Sequence, residues 1–146
     1  MAPNLFTSIQ ISDPQLKDEL RKVLVGAVKK NYYSKNYIVP LEEAHITVTV
    51  FESDVEFARE QFKLVCRQNS EKFREVAKDV ITIQGCETFG DKVLFAKPNL
   101  ESARRLQIFR DILEEQMIKK YLGNGKMRKN DCYATYNPHI TLFHIR

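Results

Sequence analysis

The sequence predicts an α+β fold with a mixed or antiparallel sheet. Stretches typical of strands and helices interleave in the order strand, helix, strand, helix, strand, strand, helix, strand. The two central strands are joined by a turn that is too short for a parallel crossover connection. The chain has 146 residues, of which 43% are hydrophobic and 29% charged, and no Pro/Ser-rich linker interrupts it. We therefore expect one domain, residues 1–146, with an ordinary core.

The first half of the chain carries signals for two strands and two long helices. Leu5 to Ile11 alternates as a half-buried strand does, and Ile46 to Phe51 is the second predicted strand. Asp13-Pro14 matches a helix N-cap followed by proline in the first turn, and Ser53-Asp54 caps the next helix. The residues predicted to face inward are Leu16, Leu20, Val23, Leu24, Ala27 and Val28 in the first helix, and Val55, Ala58, Phe62, Val65 and Cys66 in the second.

The second half begins with a short helical piece at Glu71 to Ala77. Strands at Val80 to Gln84 and Val93 to Ala96 follow, joined by a turn at Gly85 to Asp91. Asn99 caps the longest predicted helix. Its inward residues are Leu100, Ala103, Leu106, Phe109 or Ile112, Leu113, Met117 and Tyr121. The chain ends with a basic, glycine-containing loop and a last strand, residues 123–131 and 140–145.

Composition and charge exclude several classes of protein. The longest apolar run, Val23 to Val28, is too short to span a bilayer, and the N-terminus does not match a secretory signal. The net charge of +4 favours anionic ligands mildly and is low for a duplex-binding domain. Cys66, Cys86 and Cys132 form no CxxC pair, which indicates reduced thiols. We expect a monomeric cytoplasmic protein with neither membrane nor duplex DNA as partner.

A repeated tripeptide is the most informative feature of the sequence. His45-Ile46-Thr47 lies a third of the way along the chain, and His139-Ile140-Thr141 lies near its end. By composition, a given histidine is followed by Ile-Thr in about 0.4% of cases, yet two of the three histidines are. Chance is therefore a poor explanation for the repeat.

The strand period gives this repeat a chemical meaning. Side chains two residues apart share a face, so each strand presents an imidazole and a hydroxyl together, while Ile46, Val48 and Val50, or Ile140 and Leu142, anchor the other face. If the two strands are neighbours, one histidine can take a proton from an attacking hydroxyl while the other gives one to a leaving oxygen. The threonine hydroxyls can bind non-bridging phosphate oxygens. This chemistry suits displacement at a phosphodiester without a metal.

Simpler interpretations account for parts of the pattern. A single His-Ile-Thr in a strand is more often a packed histidine beside an incidental threonine. A zinc site needs three or four protein ligands, and only His144 remains as a third histidine. Its odd offset from His139 places it on the opposite face of an unbroken strand, so it receives no catalytic role. Cys86 and Cys132 have no neighbour that would lower a thiol pKa, which makes a thiol nucleophile improbable.

Two H-x-[T/S]-h motifs (h is hydrophobic), about ninety residues apart in a small α+β chain, resemble those of the 2H phosphoesterase superfamily. Four flanking segments are similar to its A-kinase-anchoring-protein-like branch: Asn4 to Phe6, Glu87 to Gly90, Val93 to Lys97, and Pro138. The resemblance covers nearly the whole chain, and the paired motifs are its specific part.

The resemblance implies a bilobal fold in which two mixed or antiparallel sheets face a central cleft, with helices outside. It also implies a phosphodiesterase that uses no metal or other cofactor, cleaves 2′,5′-oligoadenylate and thereby antagonises the host's antiviral nuclease pathway. His45 and His139 would be the acid–base pair, and Thr47 and Thr141 would hold the phosphate. Other members of the superfamily act on 2′,3′-cyclic phosphates or RNA ends, so that substrate class stays open.

The chain departs from the branch in two places. Asn137 precedes Pro138 at a position where some relatives carry a basic residue, so a phosphate contact is either missing or supplied elsewhere. The chain also stops directly after its second motif, where cellular relatives continue, and we expect a domain taken from a longer protein.

Aromatic residues are the candidates for holding the substrate base, because aromatic rings stack on nucleobases. We select Tyr136 and Phe89, although packing in the core or a loop is at least as common a role; Tyr133 is a further candidate. The basic loop contains Lys126, Arg128 and Lys129, which are most simply a solvated surface. A non-catalytic nucleotide-binding module is the remaining alternative, although binding alone does not need a paired acid and base.

Overall fold

The computed structural model describes residues 3–31, 37–78, 81–89, 93–130 and 136–144. Seven strands are described: β1 Asn4–Gln10, β2 Tyr37–Ile38, β3 His45–Ser53, β4 Ile83–Phe89, β5 Val93–Pro98, β6 Met127–Lys129 and β7 Ile140–His144. The α-helices are α1 Pro14–Asn31, α2 Val55–Gln68, α3 Ser70–Val76 and α4 Leu100–Leu113. A π-helical turn, Glu114–Ile118, and a 3₁₀ turn, Lys119–Tyr121, continue α4. No helix within these ranges has the length and hydropathy needed to cross a bilayer.

The strands form a sheet in the order β1-β3-β7-β5-β4, with β2 paired to β7 and β6 paired to β3. Every pair with a described register is antiparallel. Two backbone hydrogen bonds, from Ile11 N to Ala44 O and from Ser53 N to Pro3 O, show that β1 and β3 are also antiparallel. The predicted α+β fold with an antiparallel sheet is thus confirmed.

The expectation of two separate sheets needs correction, because all seven described strands belong to one sheet. The pairing of Ile46 on β3 with Ile140 on β7 makes β3 and β7 neighbours in this sheet. The central cleft stays a prediction.

The chain divides into two compact units, each built from three separate segments. The first unit contains residues 1–8, 47–79 and 104–137, and the second contains residues 9–46, 80–103 and 138–146. Each has its own apolar core. Buried core residues of the first unit include Val48, Phe51, Ala58, Val65, Leu106, Leu113, Met117 and Met127, and those of the second include Ile11, Leu16, Leu20, Ile46, Leu94, Phe95, Ala96, Ile140 and Leu142.

Helix caps agree with the sequence prediction. The carboxylate of Asp13 accepts from Leu16 N at 3.3 Å, that of Asp54 from Phe57 N at 3.1 Å, and the Asn99 amide oxygen from Ser102 N at 2.9 Å. Two residues predicted to face inward are instead exposed: Val55 by 39% and Leu100 by 64%. Each is the first residue of its helix, where its side chain extends past the packed turns.

Strand β4 differs most from its prediction. We predicted a strand at 80–84 and a turn from Gly85, but β4 continues through Gly85 to Phe89. Gly85 pairs with Lys97 beside a register shift, a place where a strand tolerates glycine. Strand β6 lies within the predicted basic loop, and its three residues are too few to show an alternating pattern.

The face of β3 that is buried changes halfway along the strand. Ile46 and Val48 are buried, and further along the strand Thr49, Phe51 and Ser53 are buried instead. Val50, predicted to anchor the aliphatic face, is only half-buried. The odd-numbered face of β3 is therefore open to solvent only at its start, where it carries His45 and Thr47.

Candidate active site

The pairing of β3 with β7 brings the two His-Ile-Thr motifs together. Ile46 and Ile140 are opposite each other and fully buried. Because neighbouring side chains on a strand point to opposite faces, this antiparallel register puts His45 beside Thr141 on the other face. Both side chains are half-buried. An imidazole and a hydroxyl from different strands are thus accessible side by side.

His139 lies on this same face, immediately before β7. Its ring meets the edge of the Phe95 ring, with centroids 5.3 Å apart and an interplanar angle of 67°. Phe95 is opposite Thr141 in the β5–β7 register and is only 2% exposed. A buried aromatic ring therefore supports His139 next to Thr141, with His45 on the adjacent strand.

The tautomer of His45 follows from its hydrogen bond. Its Nδ1 lies 3.0 Å from the carbonyl oxygen of Glu43, and a carbonyl can only accept a hydrogen bond. Nδ1 therefore carries a proton. In the neutral ring, Nε2 has the lone pair and is the atom that can take up a proton.

Thr47 is two residues beyond His45 on β3 and is held through its backbone. The Tyr136 hydroxyl donates to the carbonyl oxygen of Thr47 at 3.0 Å. The Arg110 guanidinium lies over the Tyr136 ring, 4.9 Å from its centroid. Burial raises the pKa of the Tyr136 hydroxyl far above its usual value, while the Arg110 charge acts in the opposite direction. Tyr136 is therefore a protonated donor at neutral pH.

Arg110 belongs to a network of two ion pairs that share Glu114. Its side chain is 11% exposed, and its Nη2 lies 3.7 Å from Glu114 Oε1. Glu114 Oε2 also meets Lys129 Nζ at 3.2 Å. Helix α4, the π-helical turn and strand β6 thereby fix the guanidinium under Tyr136.

The family is shown by comparison of the whole sequence. A family model described as "AKAP7 2'5' RNA ligase-like domain" matches residues 3–146. The chain belongs to this family. Membership confirms the resemblance to the A-kinase-anchoring-protein-like branch of the 2H phosphoesterase superfamily.

A solved structure supports the fold of this AKAP7-like domain. The crystal structure of TT0787 of Thermus thermophilus is 16% identical, with a TM-score of 0.64 over 98% of this chain and 74% of that one. A structure titled as a phosphoesterase is 11% identical, with a TM-score of 0.48 over 99% of this chain and 73% of that one. No curated protein gives a match.

Several predicted site residues of the AKAP7-like domain have described positions. His45, His139, Thr47 and Thr141 are all half-buried on strands β3 and β7 or directly before β7. Tyr136, predicted to hold a base, uses its hydroxyl and one ring face for contacts with Thr47 and Arg110.

Two aromatic candidates are only partly described or not described at all. Phe89 is the last residue of β4, where it pairs with Val93, and its side chain lies outside the described residues, as does Tyr133 entirely.

The exclusion of His144 from the site depends on β7 being an unbroken strand. The β5–β7 register instead shifts by one residue after the pair Phe95–Thr141. Beyond this irregularity, His144 pairs with Val93, so an odd offset no longer means the opposite face. The His144 side chain lies outside the described residues.

Two of the three cysteines lie within the described part of the chain. Burial raises the pKa of the Cys66 thiol, which disfavours the nucleophilic thiolate. Cys86 is exposed on β4, and Cys132 lies outside the described residues. Among the residues that the structure describes, no group of three or more His, Cys, Asp or Glu side chains could hold a metal ion.

Two lysines of the basic loop contact other residues of the same chain. Lys126 lies over the Phe57 ring, 4.8 Å from its centroid, and Lys129 contacts Glu114. Phe95 and Lys97, on the face of β5 that His139 contacts, were not predicted to be site residues. Only the strand register places them there, because nothing in the spacing of β5 relates it to β7.

Proposed function

We propose that this protein is a 2′,5′-phosphodiesterase that cleaves 2′,5′-oligoadenylate by acid–base catalysis between two histidines. The observation that carries the proposal is the pairing of Ile46 with Ile140, because it aligns the two His-Ile-Thr motifs on neighbouring strands. The 2′,5′ linkage is supported by the description of the family, which names a 2′,5′ RNA ligase-like domain.

Each side chain has a role in the proposed reaction. One imidazole takes the proton of the attacking oxygen, either the adjacent ribose 3′-hydroxyl or a water molecule. The new P–O bond forms as the bond from phosphorus to the leaving 5′ oxygen breaks, and the second imidazole gives that oxygen a proton. Thr47 and Thr141 donate hydrogen bonds to the non-bridging oxygens, where charge accumulates in the transition state.

The proposed biological role follows from the substrate. A cytoplasmic, monomeric enzyme that removes 2′,5′-oligoadenylate would withhold the activator of the host's antiviral nuclease. The proposed chemistry uses protein side chains alone, so full activity is expected in excess EDTA.

The test is to incubate the protein with matched 2′,5′- and 3′,5′-linked triadenylates in EDTA and to separate the products by chromatography. Selective loss of the 2′,5′ compound is the expected result. Loss of activity on adding EDTA would contradict a metal-independent mechanism. If neither compound is cleaved, the same assay on a 2′,3′-cyclic phosphate separates a different phosphodiesterase from a binding module.

A further inference from the structure

Lys97 is on strand β5 and lies next to the candidate catalytic residues. Ala96 pairs with Ile140 and Phe95 with Thr141, so the antiparallel register, continued by one residue, puts Lys97 beside His139. The contact between the Phe95 and His139 rings shows independently that His139 lies over this face of β5. Lys97 is two residues from Phe95 and therefore shares that face.

The described ion pair of Lys97 is loose and exposed. Its Nζ lies 3.5 Å from Glu87 Oε1, and the two side chains are 45% and 58% exposed. Charge-assisted hydrogen bonds are usually about 2.7–2.9 Å, and exposed pairs add little stability. The ion pair with Glu87 thus adds little to the stability of the β4–β5 hairpin. The charge of Lys97 is therefore available to an anionic ligand.

The position of Lys97 within the sheet indicates which anion it would meet. The strand order β3-β7-β5 puts Lys97 one strand, about 4.8 Å, beyond His139 and Thr141, and two strands beyond His45. In the proposed reaction, residues of β3 and β7 bind the scissile phosphate. If the substrate chain continues in this direction, a cation one strand further on meets its next phosphate.

We propose that Lys97 binds the substrate phosphate adjacent to the scissile one, an inference that rests on the proposed function. Lys97 then gives the enzyme a preference for oligonucleotides with at least two phosphates over dinucleoside monophosphates or cyclic mononucleotides. It is a specificity-determining residue, whereas the histidines and threonines act at the scissile bond.

The test compares two variants that break the same ion pair, K97Q and E87Q, on 2′,5′-linked triadenylate and on the 2′,5′-linked dimer with its single phosphate. K97Q is expected to lose about tenfold more in kcat/KM on the trimer than on the dimer, mainly through KM, which is the size of one charge-assisted hydrogen bond. E87Q keeps the lysine, so its trimer-to-dimer ratio is expected to equal or exceed that of the wild type. The thermal midpoints of the two variants should move alike.

Equal losses by K97Q on both substrates would put the charge at the scissile phosphate and overturn the proposal. Equal losses by K97Q and E87Q on the trimer would show that the ion pair only supports the hairpin. If the wild type cleaves neither compound, the proposed function fails on its own. Equilibrium binding of trimer and dimer to wild type and K97Q then decides the role of Lys97 separately.

Discussion

Two imidazoles on adjacent strands are expected to supply most of the rate enhancement. Changing His45 or His139 to Ala should lower kcat on 2′,5′-triadenylate by about 10²–10⁴-fold, the usual contribution of a general acid or base. Affinity for the trimer should change little, because the threonines remain. Single-turnover rates and equilibrium binding measure the two effects separately.

The assignment also requires a particular pH dependence. Wild-type kcat/KM should fall on both sides of its optimum, since one histidine must be neutral and the other protonated. A His45→Ala variant that kept kcat within about tenfold of wild type would contradict acid–base catalysis by this residue. Circular dichroism of each variant serves as the control for folding.

The buried hydroxyl of Tyr136 predicts how the stability of the folded protein changes at alkaline pH. Its pKa is raised in the folded protein, so above about pH 10, where an unfolded tyrosine loses its proton, the folded state still holds one. The unfolded state then binds fewer protons than the folded state, and the free energy of unfolding falls as pH rises. Tyr136→Phe removes this difference. Between about pH 9 and 11 the variant should therefore lose less thermal stability than the wild type.

The same variant reports on Thr47. Without the hydroxyl, the Thr47 carbonyl loses a hydrogen bond, and we expect a KM increase of a few-fold at neutral pH. Parallel stability losses in wild type and Tyr136→Phe at high pH would contradict a buried, protonated hydroxyl. The other tyrosines are common to both proteins and cancel in the comparison.

The sequence predicts that the histidines and threonines share a face, but it does not predict the contacts that Tyr136 makes. The repeated tripeptide is visible because its members are two residues apart, and the strand period then fixes their common face. The partner of the Tyr136 hydroxyl is a backbone carbonyl 89 residues away, and a backbone atom leaves no signature in residue types. The cation beneath its ring, Arg110, lies 26 residues earlier in the chain and belongs to no motif.

Ser102 joins helix α4 to the start of strand β4. It is fully buried, and its hydroxyl accepts a hydrogen bond from Thr82 N at 2.9 Å. Ser102→Ala should lower the free energy of unfolding by about 1–3 kcal/mol, because the Thr82 amide loses this acceptor. Chemical denaturation measures the change. Ser8→Ala, at an exposed position on β1, is the matched control and should stay within about 0.5 kcal/mol of wild type.

Helix starts were predictable and some strands were not, for local reasons. Asp13, Asp54 and Asn99 cap helices through bonds that span three residues, so each signal is contained in a short window. Strand β6 has only three residues, and its place in the sheet depends on a distant partner, the end of β3. Gly85 resembles a turn residue until its pairing with Lys97 is known.

The two compact units each draw on both halves of the chain. The first unit combines residues 47–79 with 104–137, and the second combines 9–46 with 80–103 and 138–146. A fragment of residues 1–79 therefore keeps β1 but lacks β7 and β6, the other two strands that pair with β3. We expect this fragment to show no cooperative thermal transition by circular dichroism, whereas the full chain does. A cooperative transition in the fragment would show that the N-terminal half folds on its own.

The pairing of Ile46 with Ile140 also determines where the chain can change length during divergence. The segments that connect helices and strands between the two motifs can gain or lose residues, because loops absorb such changes. A single residue inserted between His45 and Thr47 would instead move the threonine to the opposite side of the sheet. Relatives should therefore vary in the distance between the two motifs while keeping one residue inside each.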